Sequence, residues 1–267
     1  MTNLKKPNRY TRILEDIFKR HFLDGVHEIT FERDEIIQVA NELGIKLPKN
    51  LGDLLYSFRY RTTLPPTIVS KAPEGFEWII RPGERSQYRL SLTQHSIFIP
   101  SQTLVKTKIL DATPGVIIRY AMNDEQALLA KLRYNRLIDI FTGLTCYSLQ
   151  SHFRTTLEGG SQIETDEIYI GMDKRGVHYV LPIQAKSGRD KIGVVQIEQD
   201  FEMCSAKFPY IIYRSIAAQI MGENLIALFE FENTTEGIKV SSEKHYYLVK
   251  TEDLSPEELE SYQIRQS

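Results

Sequence analysis

Residues 162–188 read QIETDEIYIGMDKRGVHYVLPIQAKSG, and this stretch decides the fold that the sequence predicts. Two runs of alternating apolar and polar residues flank the turn-forming segment MDKRG, which predicts a β-hairpin. Successive side chains of a strand point to opposite faces of the sheet, so Gln184 and Lys186 share one face of the second strand. Two carboxylates share a face of the first strand in the same way.

Pairing of the two strands brings these polar groups together. With the turn centred on Arg175, Asp166 lies opposite Gln184 and Glu164 lies opposite Lys186. The hairpin therefore predicts a carboxylate, an amide oxygen and an ammonium group at one edge of a sheet.

This cluster suits metal-assisted hydrolysis of a phosphodiester. Mg²⁺ prefers oxygen ligands, which the Asp166 carboxylate, the Gln184 side-chain carbonyl and the Ala185 main-chain carbonyl could supply beside a substrate phosphate. Such an ion polarises the phosphate and lowers the pKa of a bound water. Lys186 could then neutralise developing negative charge or orient that water.

The acidic strand followed by IQAKSG resembles the PD-(D/E)xK nuclease superfamily, the fold of many restriction endonucleases and some repair nucleases. The resemblance covers mainly residues 145–200 and implies that Asp166, Gln184 and Lys186 are catalytic, with Mg²⁺ as cofactor and Mn²⁺ as a substitute. Gln184 stands where the family has Glu or Asp, as in its QxK branch associated with modification-dependent restriction. Thr165 replaces the usual Pro, so the acidic position lies open among Glu164, Asp166 and Glu167, of which we prefer Asp166.

Further site residues are drawn from the flanking segments. Glu164 is a possible additional metal ligand, and Gln196, in the helix after the QAK strand, could face phosphate as a similar Gln does in related nucleases. Some members of the family also supply an acidic or amide group from the helix before the first strand. The candidates here are Gln150, His152 and Glu158.

The segments around the hairpin complete an α/β pattern over residues 123–267. A long helix is predicted from Asp124 to about Phe141, a helical segment over residues 145–157, and a helix over residues 192–208, with further strands and an acidic tail after it. The resemblance implies a restriction-endonuclease-like mixed sheet flanked by helices.

Residues 1–95 predict a winged helix-turn-helix domain, α+β in class. Helical spacing marks TRILEDIFKRHF, a second helix capped near Thr30 and ended by Gly44, and a third over LGDLLYSFRYR with Asn50 as its N-cap. The runs FEWIIR and YRLSL predict a hairpin wing. Residues 96–122 form a connector with one or two strands.

The order of these elements is that of domains whose third helix enters the major groove of DNA. Residues 1–110 carry 17 Lys and Arg against 12 Asp and Glu, whereas the rest of the chain carries 16 against 23. We therefore expect the first domain to contact duplex DNA. The predicted contact residues are Lys49, Asn50, Arg59, Arg61, Arg81, Arg85 and Arg89.

Composition excludes several other classes. A hydrophobic fraction of 42% over 267 residues is typical of a globular chain with real cores, and no apolar run is long enough for a membrane span. Two cysteines without metal-ligand spacing fit a reducing compartment, so we expect a cytoplasmic protein. The histidines are scattered, and no HExxH, GxSxG or P-loop spacing occurs.

The sequence thus predicts a Mg²⁺-dependent DNA endonuclease, similar to type II restriction enzymes and serving restriction or defence. Cutting both strands of a duplex needs two active sites, so a homodimer is expected. Two alternatives stay open: a DNA-binding regulator whose nuclease-like domain is inactive, and a repair or junction nuclease.

Overall fold

The chain divides into two compact units in the computed structural model, which describes residues 10–60, 62–121, 124–158, 160, 162–188 and 190–264. The first unit comprises Met1–Ser96 together with Thr156–Gln162, and the second comprises Ile97–Thr155 together with Ile163–Ser267. The segment that the sequence marked as a connector thus falls almost wholly within the second unit. Among the described residues, no helix combines the length and apolarity required to cross a membrane.

The first unit packs four helices against a three-stranded antiparallel sheet in the order β1-β3-β2. The elements are α1 (Thr11–His21), β1 (Glu28–Glu32), α2 (Arg33–Glu42), α3 (Leu51–Tyr60), α4 (Pro66–Val69), β2 (Glu77–Pro82) and β3 (Gln87–Thr93). The three predicted helices and the predicted hairpin are all present. Strand β1 and helix α4 were not predicted.

The predicted helical cap near Thr30 is wrong, because Thr30 lies in β1 and pairs with Arg89. The stretch EITFE alternates in burial, with Ile29 and Phe31 inside the core, and this period of two marks a strand. Helix α2 begins only at Arg33. The alternating pattern of Glu28–Glu32 therefore determines the local structure, although Thr30 resembles the N-cap of a helix.

The second unit is built on an eight-stranded mixed sheet, which confirms the α/β prediction. Its strands are β5 (Lys106–Leu110), β6 (Thr145–Thr156), β7 (Gln162–Met172), β8 (His178–Lys186), β10 (Ile212–Tyr213), β11 (Ser215–Ile220), β12 (Leu225–Thr234) and β13 (Gly237–Val249). They follow the order β5-β13-β12-β11-β8-β7-β6, with β10 beside β8. Strands β4 (Ile97–Phe98) and β9 (Ile192–Gly193) form a separate pair.

The helices of the second unit are α5 (Gly115–Tyr120), α6 (Asp124–Tyr134), α7 (Leu137–Thr142), α8 (Val194–Lys207) and α9 (Pro256–Gln263), with a 3₁₀ turn at Thr251–Asp253. Strands β8 and β11 run parallel, and α8 makes the crossover that parallel neighbours require. Side chains of α6, α7 and the central strands form a buried core that includes Leu128, Leu181 and Ile216. The helix predicted over residues 192–208 and the predicted hairpin are confirmed.

The helix predicted over residues 145–157 is wrong, since this segment is strand β6. Thr, Cys, Tyr and Phe favour strands over helices, but β6 is the last strand in the sheet order and most of its side chains are exposed. It therefore lacks the alternation that marks a strand buried on one face. The long helix predicted from Asp124 is divided into α6 and α7 by Arg136, which has a left-handed backbone with φ of 50°.

The single tryptophan makes the stability of the first unit measurable by itself. Trp78 lies in the same core as Leu90, which is fully buried between Ile29 and Ile80 of the neighbouring strands. We expect Leu90→Ala to lower the free energy of unfolding by about 2–5 kcal/mol, because a buried leucine leaves a cavity. Leu23→Ala, at a site 75% exposed, should change it by less than about 0.5 kcal/mol. Urea titrations followed by Trp78 fluorescence measure both, and equal effects would show that this core is misplaced.

Candidate active site

Asp166 and Lys186, each predicted to be catalytic, meet where the ladder between β7 and β8 ends, whereas Asp166 was expected opposite Gln184 and Glu164 opposite Lys186. The paired residues run from Met172 and His178 to Glu167 and Ile183, which is the register expected for a turn centred on Arg175. Beyond this point the Asp166 side chain, rather than a main-chain carbonyl of β7, accepts a hydrogen bond from β8. Its Oδ2 accepts the main-chain N–H of Ala185 at 2.7 Å. The same oxygen lies 3.6 Å from Lys186 Nζ, and both side chains are nearly buried.

Each acidic residue of the ETDE stretch has a different cationic partner. Glu164 is exposed and forms an ion pair with Arg154 at 2.8 Å. Glu167 is fully buried and accepts from Arg133 Nη2 at 2.7 Å as well as from the Ser148 hydroxyl. Asp166 alone faces Lys186, so the geometry favours Asp166 over its two neighbours as the acidic site residue.

The sequence analysis missed a second carboxylate, that of Glu125 in the first turn of α6. Its pKa is raised by burial and then by the negative charge of Asp166. The positive charges of Lys186 and His152 act in the opposite direction. Glu125 lies on α6, which precedes the segment from which the sequence analysis drew its candidates.

The three candidates proposed for the helix before the first strand lie elsewhere. Gln150 and His152 are exposed residues of β6. Glu158 is exposed and lies in the segment Thr156–Gln162, which belongs to the first unit. His152 has a left-handed backbone with φ of 49°, a conformation uncommon for residues with a side chain. His152 is among the groups that act electrostatically on Glu125.

Gln184 is almost fully buried, and its amide group is held at both ends. Its Nε2 donates to both carboxylate oxygens of Asp200 at 3.1 Å and lies 3.4 Å from the main-chain oxygen of Glu164. Its Oε1 accepts from Gln196 Nε2 at 3.4 Å. Gln196, predicted to face phosphate, thus lies next to the predicted ligand oxygen.

Asp200 of α8 is the second residue that the sequence analysis missed. It is fully buried and accepts a 2.6 Å hydrogen bond from the Thr165 hydroxyl in addition to those from Gln184. Burial raises the pKa of Asp200 to about 7, although the bonds from Thr165 and Gln184 favour the ionised form. No pattern in the sequence marks it, because Asp200 lies among the buried residues of an otherwise ordinary helix.

The predicted DNA-contacting residues of the first unit fall into two groups. Lys49 and Asn50 precede α3, where the Asn50 side chain caps the helix by accepting the N–H of Gly52 at 3.1 Å. Arg85 is exposed in the turn between β2 and β3. Arg61 lies outside the described residues.

The other three arginines contact the hairpin itself. Arg59 Nε donates to the Ile80 carbonyl at 3.0 Å, Arg81 donates to the Ser91 hydroxyl, and Arg89 lies 3.6 Å from Glu28. Arg81 and Arg89 are directly opposite each other in the ladder. Like charges in this arrangement repel, and the Glu28 carboxylate lies beside Arg89.

Comparison of the chain with protein-family models, with curated proteins and with solved structures finds no match. The site must therefore be judged by its geometry. Among the described residues, no three His, Cys, Asp or Glu side chains are grouped so as to hold a metal ion. The set brought together consists of two carboxylates, one ammonium group and the amide network of Gln184.

The raised pKa of Asp200 predicts how stability depends on pH. Between about pH 4 and pH 7 the folded carboxyl, with a pKa of about 7, keeps a proton that the unfolded side chain has lost, so the free energy of unfolding falls as the pH rises. The loss across this window is at most a few kcal/mol. Asp200→Asn should flatten the profile, while Glu202→Gln, an exposed position on the same helix, should preserve it. Chemical unfolding in EDTA, followed by circular dichroism at several pH values, tests this, and a slope unchanged in Asp200→Asn would contradict it.

Proposed function

We propose that the chain is a Mg²⁺-dependent DNA endonuclease whose second unit hydrolyses a phosphodiester and whose first unit binds the duplex. The observation that carries the proposal is the grouping of Asp166, Glu125 and Lys186 at the end of the β7–β8 ladder. Two of these residues were chosen from the hairpin sequence alone. The third comes from a distant helix and adds a carboxylate where metal-assisted hydrolysis needs one.

The residues at this point fit a hard divalent cation. Burial and the charge of Asp166 hold the pKa of Glu125 above its usual range, so a cation near both carboxylates would be favourable. Asp166 and Glu125 would hold Mg²⁺ or Mn²⁺, with the Gln184 and Ala185 carbonyl oxygens as the further ligands that the sequence predicts. Bound there, the ion would polarise the phosphate and lower the pKa of a water ligand.

The protein's own groups have separate tasks in this proposal. Lys186 carries a positive charge beside Asp166 in a nearly buried position, where it can stabilise charge that develops on a phosphate. Gln196 supplies amide hydrogens next to Gln184 Oε1 and can contact a phosphate oxygen. The Ala185 N–H fixes the orientation of the Asp166 carboxylate.

The first unit supports binding to duplex DNA through its element order and its charges. Three helices and a hairpin follow in the order of a winged helix-turn-helix domain, with α3 as the recognition helix and β2–β3 as the wing. Arg85 is exposed at the tip of that wing, and the Arg81–Arg89 pair lies on its strands. Contacts of this kind with phosphate place a protein on DNA without reading its sequence.

Restriction or defence in the cytoplasm is the role that we propose for this activity, with a homodimer because two strands are cut by two sites. The alternative of an inactive regulator has one observation in its favour: Asp166 Oδ2 already accepts the Ala185 N–H and faces Lys186. Incubation of the protein with methylated and unmethylated plasmids, in Mg²⁺ or in EDTA, separates the candidates. Cleavage in Mg²⁺ alone indicates the nuclease, binding without cleavage indicates the regulator, and a preference for branched substrates indicates a junction enzyme.

We expect Asp166→Ala, Glu125→Gln and Lys186→Ala each to lower the cleavage rate by at least about 100-fold, because each removes a metal ligand or a charge that stabilises the transition state. Glu164→Gln is the comparison, since that carboxylate pairs with the exposed Arg154 and its loss should change the rate by no more than about twofold. Nicking assays on supercoiled plasmid measure the rates, and band shifts verify that DNA binding is kept. Full activity in Glu125→Gln would remove α6 from the site.

We expect Arg85→Ala to weaken DNA binding uniformly across sequences and to reduce the slope of log K against log salt by about 0.9, as loss of one phosphate contact does. Full-length Asp166→Ala protein, titrated with duplex at several salt concentrations, provides the measurement. Arg59→Ala should also weaken binding, but through the wing, because Arg59 donates to the Ile80 carbonyl of β2. An unchanged salt slope in Arg85→Ala would show that the wing tip is not at the DNA.

A further inference from the structure

We propose that Asp200 is a positioning residue, whose carboxylate fixes the Gln184 side chain with its NH₂ group turned toward α8 and its carbonyl oxygen available to the active site. The proposal rests on the proposed nuclease function, because it assigns a role within the same site. It concerns a residue of the helix rather than of the hairpin that carries the sequence motif.

The chemistry of the two groups sets the orientation. An ionised carboxylate has only acceptors, whereas a glutamine amide has a donor end and an acceptor end. Gln184 Nε2 lies 3.1 Å from each oxygen of Asp200. With the amide reversed, Oε1 would face two acceptor oxygens inside a fully buried space, and the contact would be repulsive.

A second contact of Asp200 stabilises the end of β7. The Thr165 hydroxyl donates to Asp200 Oδ1 at 2.6 Å, and Thr165 directly precedes Asp166. The paired residues of β7 and β8 end at Glu167 and Ile183, so the carboxylate links the two strands just beyond their ladder. The buried Asp200 carboxylate thus contacts both Thr165, which precedes Asp166, and Gln184, the first residue of the Gln-Ala-Lys sequence.

Burial of the carboxylate is unfavourable, because the Asp200 side chain is fully removed from water. An apolar or amide side chain at this position of α8 could be buried at a lower free-energy cost of desolvation. An amide at position 200 would, however, offer both a donor and an acceptor, and position 200 would then no longer exclude the reversed orientation of Gln184. A carboxylate is the side chain of this size that excludes the reversed amide.

The test compares Asp200→Asn with Thr165→Val at pH 8. The first variant keeps the shape of the side chain but permits both orientations of Gln184, whereas the second removes the other hydrogen bond of Asp200 and leaves Gln184 in place. We expect Asp200→Asn to weaken Mn²⁺ binding by about tenfold, as loss of a group that orients a metal ligand does, and Thr165→Val by less than about twofold. Calorimetry measures the affinity, and thermal unfolding verifies that both variants are folded.

Two further measurements separate positioning from a purely structural role. In cleavage assays Asp200→Asn should raise the Mg²⁺ concentration for half-maximal rate while keeping most of the rate at saturation. In a Gln184→Leu background, Asp200→Asn should have no additional effect on metal affinity. A full tenfold effect in that background, or wild-type affinity in Asp200→Asn alone, would overturn the proposal.

The orientation of Gln184 can also be read without metal or cleavage. Protein labelled with ¹⁵N-glutamine should show one pair of Gln184 NH₂ resonances, identified by their loss in Gln184→Leu, and Asp200→Asn should show a second set or faster hydrogen exchange. If the wild-type protein neither binds Mn²⁺ nor cuts DNA, the proposed nuclease function fails while this measurement still decides the role of Asp200. A single, equally protected pair in Asp200→Asn would overturn that role.

Discussion

The hydrogen bond from the Ala185 N–H to Asp166 Oδ2 is the interaction on which the candidate site depends. Where the β7–β8 ladder ends, this bond gives the Ala185 donor an acceptor that would otherwise have to come from the neighbouring strand. It also fixes the carboxylate beside Lys186. One hydrogen bond therefore satisfies the Ala185 N–H and also holds the Asp166 carboxylate in its position in the candidate site.

The acidic side chains of the candidate site outnumber the cationic ones, and this imbalance determines the electrostatics of the site. Asp166, Glu125 and Asp200 lie in one region, and Lys186 is the cation that acts on all three in the described part of the chain. Burial raises the pKa of both Glu125 and Asp200. Additional positive charge near Asp166 would be favourable, which is the electrostatic basis for expecting a divalent cation there.

Local patterns were enough to predict the hairpin that carries Asp166, Gln184 and Lys186 of the candidate site. Alternation and turn chemistry between residues 162 and 188 fix a register by near-neighbour geometry, and the structure has that register. Glu125 and Asp200 could not be found in this way, because their places depend on how α6 and α8 pack on the sheet. Strand β6 was missed for a related reason, since a strand exposed on both faces carries no periodic signal.

The network also explains why position 184 is a glutamine rather than an acid. Asp200 faces position 184 within a fully buried space, so a glutamate there would place two acidic groups against each other, and ionisation of both would be unfavourable. Gln184 supplies the donor and still keeps a carbonyl oxygen on its other side. The identities of these two residues are thus coupled by hydrogen-bond complementarity.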